Sequence, residues 1–105
     1  MLIVFTTVSS NEDAELIAKK IVDERLAACV QILPKMTSVY CWEGKLQKES
    51  EHLLIIKTAD EKYSELEKFI AAIHSYDVPE IVAIRAENVS ADYLEWLNDS
   101  LSDLS

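Results

Sequence analysis

Cys29-Val30-Gln31-Ile32-Leu33-Pro34-Lys35-Met36-Thr37-Ser38-Val39-Tyr40-Cys41-Trp42-Glu43-Gly44-Lys45 is the stretch whose reading decides the fold. Its β-branched and aromatic residues mark a strand, and Pro34 places a bulge or an edge position inside it. Trp42-Glu43-Gly44-Lys45 then reads as a hairpin turn, with Gly44 supplying the positive φ. The return strand opens polar, from Gln47 to His52, and closes apolar with Leu53-Leu54-Ile55-Ile56. A strand from Cys29 to Trp42 reaches about 45 Å.

On the N-terminal side, Met1 to Val8 is a continuous apolar run, expected as a strand buried on both faces. Ser9-Ser10-Asn11 supplies helix-capping residues, and Ala14, Ile17, Ala18, Ile21 and Val22 recur at helical spacing over residues 11–26. On the C-terminal side, Asp60 is placed to cap a second helix with a stripe of Tyr63, Leu66, Phe69, Ile70 and Ile73. Tyr76-Asp77-Val78-Pro79 ends it, because a residue before proline avoids the helical region. Ile81 to Ile84 form a last strand, and Ser90 caps a third helix carrying Tyr93, Leu94, Leu97 and Leu101.

The order is β-α-β, a hairpin turn, β-α-β, then one extra helix. It predicts a single α+β domain over residues 1–105, of the ferredoxin-like type, with an antiparallel sheet and a long hairpin between its second and third strands. Right-handed crossovers put both connecting helices on one sheet face. The first helix spans only about 24 Å, so about 20 Å of hairpin projects past the helix layer. That arm carries Met36, Tyr40 and Trp42 on one face and Val39 and Cys41 on the other. An apolar ribbon of two strands needs cover, from the third helix or from neighbouring copies of the chain. The reading taken is a homo-oligomer closed as a ring.

Composition removes several function classes. The net charge of −9 argues against neutralising nucleic-acid phosphates. No apolar run is long enough to span a bilayer. The chain opens at once on a strand pattern, without the features of a signal peptide, and the expectation is a cytoplasmic protein. Cys29 and Cys41 sit in apolar stretches without metal-site spacing, so both are expected as reduced, buried thiols. Gly44 is the only glycine, which excludes a dinucleotide fingerprint, a P-loop and a nucleophile elbow. No nucleophile–base pair or metal triad is legible, and no enzyme is expected. The segment from Glu87 onward holds Asp92, Glu95, Asp99 and Asp103 with no Lys or Arg, the pattern of a solvated helix face.

Glu24-Arg25-Leu26-Ala27-Ala28-Cys29, Ser38 with Tyr40, Trp42-Glu43-Gly44-Lys45, Ile56-Lys57-Thr58, His74-Ser75-Tyr76 with Pro79-Glu80-Ile81, and Tyr93-Leu94-Glu95-Trp96-Leu97 form an ordered set across the chain. With these motifs the sequence resembles the CutA family, the divalent-cation-tolerance proteins. The resemblance implies a homotrimer of ferredoxin-like subunits, similar in architecture to the PII signalling proteins, and a link to Cu(II) or another divalent cation. Copper-associated members look to use a first-strand cysteine and a histidine pair, but here Thr6, Ile73 and Ser75 stand at altered positions and His74 alone remains as metal ligand. Trp42, Lys57, Tyr76, Glu80 and Trp96 fall within the matching motifs, at strand ends and after a helix, where a cleft between subunits is expected. Lys57 interrupts an apolar strand, with Glu80 its expected ion-pair partner if buried. The alternative function is a small enzyme or small-ligand binder using such clefts, with Lys57, Glu80 or His74 in acid–base roles. His52, on a polar strand, is expected to be solvated.

Overall fold

The computed structural model describes residues 1–102; Asp103 of the acidic segment lies outside them. The elements are β1 (Leu2–Val8), α1 (Asn11–Asp23), β2 (Cys29–Ile32), β3 (Met36–Trp42), β4 (Lys45–Thr58), α2 (Tyr63–Ile73), β5 (Val82–Arg85) and α3 (Ala91–Leu101). The sheet runs β2-β4-β1-β5, with β3 also pairing β4 and every pairing antiparallel. This is the expected ferredoxin-like arrangement, with the long second strand broken in two.

The break is a change of register. Val30 pairs with Ile56 and Ile32 with Leu54, and Leu33 N–H still bonds the Leu53 carbonyl at 2.9 Å. Beyond it Met36 pairs with Glu51. Leu33-Pro34-Lys35 therefore opposes Leu53-His52, with one extra residue on the proline side. Pro34 has no N–H to give to the ladder, and the chain bulges at that point. The slip moves Met36, Ser38, Tyr40 and Trp42 onto the face that odd-numbered residues of β4 occupy.

The core lies on one sheet face. Leu2, Val4, Val8, Leu54 and Ile56 pack there against Ala14, Ile17 and Ile21 of α1 and Leu66 and Ile70 of α2. The expectation that β1 is buried on both faces is corrected: Ile3 and Phe5, pointing the other way, are only half-buried. α3 covers one end of that second face, where Leu97 and Leu101 pack with Ala59, Met1, Ala28 and Tyr93. Val82 and Ile84 stay about half exposed, at 49% and 50%. The arm projects as expected, and the molecule measures 47 × 26 × 24 Å.

Local chemistry sets the element ends. Ser10 caps α1 by accepting from the Asp13 N–H at 3.1 Å. α1 ends at Asp23, earlier than expected, because Arg25 turns left-handed at φ 57° while Leu26 N–H closes onto the Ile21 carbonyl. Asp60 does not cap α2. It opens a 3-10 turn, and its carboxylate pairs with Arg85 instead. Ser90 stands at the N-cap of α3 without a side-chain capping bond. At the hairpin tip Glu43 is left-handed as well as Gly44, with φ 51° and 77°, the two-residue type I′ geometry.

Candidate functional site

A buried carboxylate sits where the arm leaves the core. Glu51 is 7% exposed, on the second sheet face at the base of the arm. The Tyr76 hydroxyl donates to its carboxylate at 2.8 Å, and the Ser38 and Thr7 hydroxyls nearby favour its charged form. Burial alone would raise the Glu51 carboxyl; these donors and the nearby His74 outweigh it and hold the group below its usual range. Burial and the Glu51 carboxylate push the Tyr76 phenol well above its ordinary value.

His74 fixes the loop that delivers Tyr76. It stands at the C-cap of α2, its own N–H bonded to the Ile70 carbonyl. The Tyr76 N–H donates to Nδ1 at 3.0 Å, which leaves the ring proton on Nε2, donating to the Thr7 carbonyl at 2.7 Å. The two rings lie 4.7 Å apart. β1, β3, β4 and the loop after α2 are thereby tied at one point.

These residues do not fit a copper centre within one chain. Both His74 nitrogens are engaged, so a metal ion must displace either the Tyr76 N–H or the Thr7 carbonyl. Thr6, at the position where the resemblance places a cysteine, is fully buried beside Leu54 in the core. No group of three or more His, Cys, Asp or Glu among the described residues is placed to hold a metal.

The cleft residues fall in separate places along one subunit. Trp42 is at the arm tip, paired with Lys45. Lys57 is at the far end of β4, about 40 Å away along the strand. Tyr76 lies between them, on Glu51. Trp96 lies beside Tyr93, ring centroids 5.4 Å apart, and the Lys57 Nζ sits 5.5 Å from the Tyr93 ring centroid. Glu80 is exposed and does not pair with Lys57 of the same chain. Lys57 neighbours Ile3 on β1 whereas His74 bonds Thr7, so the two stand at opposite ends of that strand.

Three further expectations are corrected. Cys41 is exposed and Cys29 half-buried, both as free thiols. His52 is half-buried against the bulge, its Nδ1–H donating to the Leu33 carbonyl at 3.2 Å. Glu51 was not singled out from the sequence, since it lies within a polar run; its two-residue spacing from Leu53 was the available signal.

Fold and loop geometry together define a ferredoxin-like α+β domain whose extended hairpin is locked at its base by a buried carboxylate. Residues 2–100 match the family model described as CutA1 divalent ion tolerance protein, and the chain belongs to that family. It is 48% identical over 99 residues to a chloroplastic CutA protein of Arabidopsis thaliana, covering 94% of this chain and 54% of that protein. It is 44% identical over 98 residues to the divalent-cation tolerance protein CutA of Thermus thermophilus, covering 93% and 95%. The crystal structure of CutA1 from Oryza sativa superimposes with a TM-score of 0.93 at 43% identity, covering 97% of this chain and 94% of that one. The chain spans about half the length of the plant relatives it matches.

Proposed function

We propose that this divalent-cation tolerance protein works as a homotrimer, a binding or signalling module in metal-ion homeostasis that acts without turnover. The observation that carries the reading is an uncovered apolar sheet face joined to an arm with apolar residues on both sides. Ile3, Phe5, Ile55, Val82 and Ile84 line the face, Tyr40 and Trp42 extend it along the arm, and Val39 and Leu46 stand on the arm's other side. Val39 and Leu46 are 61% and 78% exposed, more than an isolated ribbon sustains in water. Neighbouring copies supply cover of matching chemistry. The need for partners rests on this geometry, and the number three on the family resemblance. Light scattering should give three times the 11.9 kDa of one chain. A single-chain mass would overturn the reading.

Metal handling, on this reading, does not run through His74 as a ligand. Calorimetric titration with Cu(II) and Zn(II) should show the same affinity for wild type and His74→Gln. Loss of binding in the variant would return His74 to the ligand set.

A further inference from the structure

Lys57 is a charged residue on the second sheet face that the core of its own chain does not explain. The chain holds 19 acidic residues against 10 Lys and Arg, so a lysine without an acidic neighbour is unexpected here. The residue is half-buried, its ammonium has no carboxylate of a described residue within 4.0 Å, and it stands 5.5 Å from the Tyr93 ring centroid. A partly desolvated cation over one aromatic face is incompletely satisfied. Beside Tyr93, Trp96 is 46% exposed and tilted 37° to it. The Tyr93 hydroxyl makes no hydrogen bond to a described residue. At the margin of α3 the surface thus offers a cation, a hydroxyl donor and an open indole.

We infer that Lys57, Tyr93 and Trp96 form a binding site for a small planar aromatic monocarboxylate. The carboxylate lies on the Lys57 ammonium and the Tyr93 hydroxyl, and the ring stacks on Trp96. A single charge is preferred because a protein of net charge −9 repels polyanions at every other approach. All three residues come from one chain, and because Lys57 neighbours Ile3 on the face given to assembly, the site rests on an assembly that leaves the margin of α3 open.

The test is tryptophan fluorescence of the full chain, in whatever assembly light scattering finds, titrated with benzoate. Acetate and benzylamine serve as probes of charge alone and ring alone. Benzoate should give a saturating change, acetate should bind at least ten-fold more weakly, and benzylamine should give none. Lys57→Met should weaken benzoate at least ten-fold, and Lys57→Arg should retain most of the binding. In Trp96→Phe the signal should disappear, since only Trp42 is left to report. A response that persists in Trp96→Phe, benzoate affinity unchanged in Lys57→Met, equal binding of acetate, or no saturable response would each overturn the site. If Lys57→Met does not fold, Trp96→Ala followed by calorimetry carries the same decision: unchanged benzoate affinity overturns the site, and a ten-fold loss supports it.

Discussion

At the scale of single residues, Glu51 shows how a charge is kept inside a small domain. The Tyr76 hydroxyl replaces water that the carboxylate loses, and the Ser38 and Thr7 hydroxyls favour its charge. The oxygen bonded to Tyr76 loses its donor if that hydroxyl is removed. Tyr76→Phe should therefore cost about 1–3 kcal/mol, read by chemical denaturation. The pH dependence has a definite sign. The folded carboxyl titrates below its ordinary value, so its contribution is full above the unfolded pKa of about 4.3 and fades as pH falls through the lower folded one. Glu51→Gln should be the less stable protein near pH 7, and melting curves from pH 6 to 3 should show the gap to wild type closing. A gap that stays constant would mean that the charge contributes nothing. None of this was visible in Lys48-Glu49-Ser50-Glu51-His52, because a polar run reads as solvent-facing until the loop that brings Tyr76 onto it is placed. His74 was legible as a residue of consequence, but its role depends on where the Thr7 carbonyl and the Tyr76 N–H lie, and no periodicity encodes that.

At the scale of elements, the two positions among the described residues where a non-glycine residue turns left-handed make separable predictions. Arg25 ends α1 in a conformation that usually takes glycine, and its guanidinium reaches across to the Ser102 carbonyl behind α3. Arg25→Ala loses that bond and keeps the backbone cost, whereas Arg25→Gly loses the bond and relieves it. The alanine variant should be the less stable by about 1 kcal/mol, by urea denaturation. Equal stabilities would show that the turn carries no strain. At the hairpin tip Glu43→Asn should raise the melting temperature, because asparagine tolerates the φ of 51° better. The elements themselves were read correctly from alternation and helical spacing, which depend on local physics. The bulge was only half legible. Pro34 marked its place, but the register slip that turns Tyr40 and Trp42 toward the Glu51 face is set by pairing with β4. Lys57 and Glu80 do not pair within one chain, since strand order fixes Lys57 while Glu80 hangs on a loop whose path His74 fixes; a pair between subunits is a question for the assembly.

At the scale of the whole molecule, the length mismatch between strand and helix was the most informative quantity in the sequence. A hairpin of about 45 Å cannot be covered by a helix of about 24 Å, whatever the details of packing. The structure bears this out in its 47 Å long dimension and in the exposure of Val39, Leu46 and Trp42. If the uncovered face is buried between copies, folding and association are linked, and stability must depend on concentration. For a trimer that unfolds to three chains, each tenfold increase in concentration adds about 0.9 kcal/mol per chain. That corresponds to several degrees in melting temperature for a domain of this size. Val82→Glu combined with Ile84→Glu places two carboxylates on the exposed β5 edge of the face, in a protein already at −9. The double variant should sediment as single chains, melt lower than wild type, and lose the concentration dependence altogether. Each part of that outcome has a distinct meaning. A wild-type melting temperature that is flat over a hundred-fold dilution would show that the subunit folds on its own and assembles, if at all, without coupling. A double variant that stays assembled would move the contact off the sheet face and onto the arm alone, where Val39 and Leu46 would be the next residues to change.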